Sequence, residues 1–399
     1  MSAGTPTTVP ASAVELLSAM VRLDTVNTVV SGDPLAEQKL CEHNEAAAQA
    51  MGFTTRRLPT KDRADNLLVT YEAGTAGGTG GDRPWIMFES HMDTVTVEGM
   101  TINPFGGEVR DGRVWGRGAC DTKATGAAML WAMHEYSKLA ANEQPNNIAL
   151  AYTIDEEVGT QGIKAVVNDH WSSLRFEPVG IVIGEPTKSQ LITAHNGVVR
   201  WLVSTHGTAC HSCEPWNGRS AISAMCRFVD RWERTYVPSV TATHPLTGRA
   251  ASSVNIIQGG SQINVIPERC EVRIDRRVVP GESVEAIEKD PELILAELAA
   301  EDETFHGECE LLSGIPPVSP GGSEPFITTI QRALETVGLS SEPGGAPYGT
   351  DGGVTSRAGI PTVIFGPGDI AQAHTKDEFI DIEQLEHGVE AYLAMMKQN

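Results

Sequence analysis

The chain has 399 residues, enough for a large core spread over two or three domains, and its 30 basic against 52 acidic residues give a formal charge of −22. That charge repels nucleic acid and anionic membrane surfaces, so neither is an expected partner. The segment Met1 to Pro10 has neither a basic start nor an apolar core, no apolar stretch reaches the roughly 18 residues of a membrane span, and seven cysteines fall at irregular spacings, so a soluble cytoplasmic protein with reduced thiols is expected.

In chain order, the glycine-rich stretch Gly74 to Gly81 lacks the Lys-Ser/Thr ending of a phosphate loop and reads as a flexible hairpin connection. Trp85 to Phe88, Ile148 to Ile154, Val179 to Ile183 and Pro361 to Phe365 are apolar runs of strand length, the pattern of strands buried on both faces. Thr122 to Leu139 has helical spacing in Ala127, Leu130, Trp131 and Met133, with Asp121 placed as its N-cap. Strands alternating with helices predict an α/β fold with a mainly parallel sheet flanked by helices, and ligands in such sheets gather beyond the carboxyl ends of the strands.

The pattern changes after about residue 195. Val199 to Thr208 alternates like a strand; Arg219 to Tyr236 is helical with Ile222, Met225, Cys226, Val229 and Trp232 on one face; Ser253 to Gln258 and Cys270 to Val279 read as strands. A helix from Gly281 to about Ala300 and the apolar segment Glu310-Leu311-Leu312 complete a β-α-β-β-α-β, ferredoxin-like order. The expected organisation is a discontinuous catalytic domain, residues 1–195 and 314–399, with an inserted α+β lid at 196–313. The segments Glu324 to Val337 and Ile382 to Lys397 read as amphipathic packing helices.

Six side chains capable of binding a metal or moving a proton sit just after predicted strands: His91, Asp121, the pair Glu156-Glu157, Glu185 and His374. A lone histidine is more often structural and a lone Glu-Glu more often a solvated turn; their joint placement is what carries the argument. Two histidines and three carboxylates beyond one base can hold two divalent cations and leave a position for water, as a hydrolase needs. Asp93, two residues after His91, falls on the same side of an extended segment and would orient its imidazole.

The ordered set His91-Met92-Asp93, Gly116-Arg117-Gly118 leading to Asp121, Asp155-Glu156-Glu157, Gly184-Glu185-Pro186-Thr187 and His374 resembles the dinuclear zinc aminoacylase and carboxypeptidase family, which includes acetylornithine deacetylase, succinyl-diaminopimelate desuccinylase and glutamate carboxypeptidase. The resemblance implies that Asp121 bridges two metals, one completed by His91 and Glu185, the other by Glu157 and His374, with Glu156 as general base. It also implies a cis Asp121-Thr122 peptide. In the lid, His206 to Ser212 resembles the segment whose histidine reaches a neighbouring subunit's active site, so His211 would donate to the oxyanion and the enzyme would be a homodimer. Asn264 and Arg277 match positions that hold a substrate carboxylate, and Tyr348 to Gly353, including Gly352, resembles a substrate loop. Gly197-Val198-Val199-Arg200 stands where desuccinylases have paired arginines, which weakens succinyl-diaminopimelate as substrate. The expected protein is thus a hydrolase of an N-acyl amino acid, using two zinc ions, with cobalt or manganese as substitutes. The alternatives are a carboxypeptidase or dipeptidase of the same chemistry and, more remotely, a metal-loaded binding protein without turnover.

Overall fold

A computed structural model describes residues 8–74 and 83–398. The chain divides into two compact units: Met1–Thr193 with Pro320–Gly344 and Thr350–Asn399, and Ala194–Ser319 with Gly345–Gly349. None of the helices among the described residues is long and apolar enough to cross a membrane.

The first unit is α/β, built on an eight-stranded sheet flanked by helices. Its centre is parallel: Asn147–Thr153 pairs with Trp85–His91, that strand with Pro178–Ile183, and that with Thr362–Ile364. Thr54–Leu58 and Asn66–Tyr71 extend one side antiparallel. The strand Asn147–Thr153 is buried along its whole length, which is why its sequence is apolar without alternation. Strands Asn66–Tyr71 and Trp85–His91 each pair with Asn147–Thr153 rather than with each other. The glycine-rich connection between them is therefore not a hairpin; its residues 75–82 lie outside those described.

The helix Lys123–Ser137 packs against Ile382–Met396 and Ala13–Val21 over this sheet. Its first half is buried on nearly every side and is mostly small and apolar, while His134, Glu135 and Ser137 near its end are partly exposed. Gly126 lets it settle onto the strands, since a Cβ there would stand 2.8 Å from the Tyr152 ring. Its N-cap is Thr122, without a side-chain cap bond, and not Asp121, whose carboxylate is turned towards two histidines.

The second unit is α+β with the expected β-α-β-β-α-β order: strand Gly197–His206, helix Ala221–Arg231, strands Ala251–Gly259 and Arg269–Val278, helix Asp290–Glu301 and strand His306–Ile315. The first helix stays helical through the predicted Tyr236, but as a π-helix from Trp232 to Tyr236. Its buried face is Ala221, Met225, Phe228 and Trp232, while Ile222 and Cys226 are exposed. The predicted second helix is broken into Val284–Ile287 and Asp290–Glu301.

Candidate metal centre

Parallel strands place their carboxyl ends at one edge of the sheet. His91 is the last residue of its strand and lies opposite Thr153, so the turn carrying Asp155, Glu156 and Glu157 begins beside it. Glu185 follows the neighbouring strand Pro178–Ile183. Asp121 comes from the approach to the buried helix, and His374 from a loop beyond Thr362–Ile364.

His91 Nδ1 lies 3.0 Å from the Asp93 carbonyl oxygen and 3.4 Å from Asp93 Oδ1. Either acceptor suits a ring proton on Nδ1 and turns Nε2 away from Asp93; burial would lower the ring's pKa, but Asp121 and Asp93 hold it well above its ordinary value. That Nε2 faces Asp121 Oδ1 at 3.3 Å, and both atoms are buried without a hydrogen-bond partner. On its other side, Asp121 Oδ2 lies 3.4 Å from His374 Nε2, which is 3.1 Å from Glu157 Oε2. One carboxylate thus addresses two histidines, one oxygen to each. The Asp121-Thr122 peptide is cis.

Two groups of ligand atoms lie within 4.8 Å of one another: His91, Asp121 and Glu157, and His91, Glu156 and Glu185. Burial, with the negative charge of Asp121, pushes Glu157 up to about 7. Burial and neighbouring carboxylates hold Glu156 and Glu185 well above the usual carboxylate range. Asp121 and Glu157 lift His374 to about 10. Crowded buried carboxylates are stabilised by added positive charge, and histidine nitrogen with carboxylate oxygen is the donor set that zinc and similar cations take. The residues present fit two divalent cations.

Asp93 is fully buried. Burial alone would raise it, but His91, the Asn27 amide and the Glu156 backbone N–H hold it below its ordinary value. Asn27 Nδ2 donates to Asp93 Oδ2 at 2.7 Å and to Asp155 Oδ1 at 2.9 Å, while Arg63 Nη1 lies 2.7 Å from Asp155 Oδ1. Neither Asn27 nor Arg63 was expected at the site, since both lie before the first motif and their neighbours carry no chemical pattern. Asn27 does carry a local signal: its side chain accepts the Val29 amide as a helix N-cap. Glu89, also unforeseen, and Asp351, from the segment resembling a substrate loop, are buried around the Thr153 hydroxyl at 2.5 and 3.2 Å.

In the second unit, His211 is exposed on the short strand Cys210–His211, paired with Val265–Ile266 beside Asn264, whose carbonyl accepts the Ser212 amide at 3.0 Å. Arg277 is on Arg269–Val278 and its Nε is 2.7 Å from Asp275 Oδ1. Cys210 and Cys213 are free. Gly352 opens the helix Gly352–Arg357 of the first unit, and its amide donates to Thr350 Oγ1 at 3.0 Å.

Acetylornithine deacetylase of Myxococcus xanthus is 28% identical over 352 residues, covering 87% of this chain and 88% of that protein. A probable succinyl-diaminopimelate desuccinylase of Staphylococcus epidermidis is 24% identical over 415 residues, covering 96% of each. The crystal structure of an M20 family metallo-carboxypeptidase from Sulfolobus solfataricus has the same fold, with a TM-score of 0.78 at 16% identity, covering 96% of this chain and 98% of that one. Residues 87–398 match the family model described as Peptidase family M20/M25/M40, a span that takes in every candidate ligand from His91 to His374, and the chain is a hydrolase of that family.

Proposed function

We propose that the protein is a two-metal amidohydrolase that cleaves the acyl bond of an N-acyl amino acid or a related small molecule, releasing a carboxylate and a free amine. The observation that carries this reading is Asp121 set between His91 and His374, one oxygen towards each. Asp121 would bridge the cations, with His91 and Glu185 on one and Glu157 and His374 on the other. Bound there, the two cations would lower the pKa of water and polarise the scissile carbonyl. Glu156 would take the proton of the attacking water and hand it to the leaving nitrogen. Asp93 would hold the His91 ring and, through two backbone amides, the turn bearing Glu156 and Glu157.

His211 is proposed as donor to the oxyanion, Asn264 and Arg277 as holders of the substrate carboxylate, and the protein as a cytoplasmic homodimer. These assignments rest on the motif resemblance. Arg277 is engaged by Asp275, so a substrate carboxylate would have to share or displace that partner.

The relatives named above include both deacylases and a carboxypeptidase, so the leaving group is the open question. Free amine released from N-acetyl, N-succinyl, N-formyl and longer N-acyl amino acids and from dipeptides, by zinc-loaded protein beside a chelated control, answers it. Chelator-sensitive turnover of the acyl amino acids supports the deacylase reading; turnover of dipeptides alone moves the protein to the dipeptidases; silence across the panel removes both.

A further inference from the structure

Asp121 and His374 are 253 residues apart in sequence, and His374 stands on an exposed loop at φ 61°. What fixes one against the other lies beneath them. Glu378 is fully buried, and its Oε1 accepts the backbone amides of Cys120 at 2.8 Å and Asp121 at 3.0 Å. Its Oε2 accepts Arg117 Nη1 at 2.6 Å. Arg117, equally buried, turns Nη2 to the Thr375 carbonyl at 3.3 Å, the residue after His374, and Nε and Nη2 to the Thr96 carbonyl at 3.1 and 2.9 Å. The Gly116 amide closes the ring by donating to the Glu378 carbonyl at 3.0 Å.

We infer that Glu378 and Arg117 are positioning residues, a buried clamp that sets the separation of Asp121 and His374 and so holds the two metals' shared carboxylate in register with the exposed histidine. The inference rests on the reading of those two residues as metal ligands. A buried ion pair is a poor means of stabilising a fold, because two desolvated charges can often be replaced by apolar side chains at no loss. What this pair supplies is direction: one carboxylate oxygen for two amides on the Asp121 side, and one guanidinium nitrogen for the Thr375 carbonyl on the His374 side, while Nε and the same nitrogen anchor the guanidinium to Thr96. Outer partners of metal ligands have this effect on affinity elsewhere.

The test is zinc affinity, measured on metal-stripped full-length protein by competition with a chromophoric chelator, beside the melting temperature of the same metal-free samples. In Arg117→Met/Glu378→Leu no buried charge is left unpaired, but the Cys120 and Asp121 amides lose their acceptor, so the metal-free protein should melt below wild type, and zinc should bind roughly tenfold or more weakly, beyond what the lost stability explains. Arg117→Met/Glu378→Gln, which returns an oxygen to the two amides, should regain much of that loss. Asp121→Ala serves as the control for the ligand reading. If Asp121→Ala loses zinc while the leucine double variant binds within about twofold of wild type, the clamp is wrong. If Asp121→Ala binds like wild type, the ligand reading fails and the clamp with it. Should the leucine double variant not fold, Glu378→Asp, which keeps the charge but withdraws the oxygen by one methylene, replaces it: weakened zinc binding supports the clamp, and unchanged binding overturns it.

Discussion

Asp93 Oδ1 accepts the backbone amide of Glu156 at 3.0 Å. Its other oxygen accepts the Glu157 amide at 3.1 Å, and the same carboxylate faces His91 Nδ1. A single buried side chain thus ties the strand end that bears His91 to the turn that bears Glu156 and Glu157. Orientation is set by the fold before any substrate arrives, which is where preorganised catalysis begins.

Asn27 makes that carboxylate tenable by donating to Asp93 and Asp155 together. Asn27→Ala would leave two buried carboxylates each short of a donor. We expect a loss of about 2–4 kcal/mol in denaturant unfolding, with weaker zinc binding. A loss below about 0.5 kcal/mol would mean that water or Arg63 replaces the amide in full.

Metal removal should be visible in stability as well as activity. Ligands that bind only the folded state stabilise it by mass action, about 2.7 kcal/mol when free metal is 100 times its dissociation constant. Zinc added to chelated protein should raise the melting temperature, and Asp121→Ala should not respond.

Gly366 tests how tightly the Glu185 turn is held. A Cβ there would stand 2.4 Å from the Glu185 carbonyl oxygen and 2.6 Å from Thr125 Cγ2. Gly366→Ala should therefore cost roughly 1–3 kcal/mol and displace Glu185, weakening metal binding beyond what the lost stability explains. Thermal melts with and without zinc separate the two effects.

His43 gives the fold an acid-side dependence away from the ligands. Burial in the helix Gln38–Ala50 lowers it to about 4, from an ordinary value of 6.5. The folded state thus favours the neutral ring, while the unfolded chain takes up the proton first. Its stabilising contribution is present above pH 6.5 and is lost as pH falls from there towards 4. On linkage this is on the order of 2 kcal/mol at pH 5. Wild type should lose stability over that interval relative to His43→Leu, and parallel curves for the two would contradict the assignment.

Much of the centre was legible because parallel strands deliver chemistry at their carboxyl ends, so His91, Glu156, Glu157 and Glu185 could be read as the residues that follow apolar runs. Asp121 faces two histidines and does not cap the helix, because an aspartate before a helix satisfies the capping pattern whether or not its side chain turns back. Asn27, Arg117 and Glu378 were not assigned roles, because a buried hydrogen bond between residues far apart in sequence leaves no periodic trace. The hairpin expected around the glycine-rich stretch failed for a related reason: Asn147–Thr153 enters between the two strands, and no local pattern announces an intervening strand from later in the chain. Ile222 and Cys226 satisfied helical spacing, yet the packed face runs through Ala221, Met225 and Phe228.

The most direct test of the account is turnover by Glu156→Ala, on whichever substrate class the amine-release panel identifies, with metal content counted in the same sample. General-base catalysis is worth roughly 10²–10⁴-fold. The account predicts a fall of that size in kcat with two metals per chain retained. Unchanged turnover with both metals in place would show that Glu156 is not the base and would contradict the proposed mechanism.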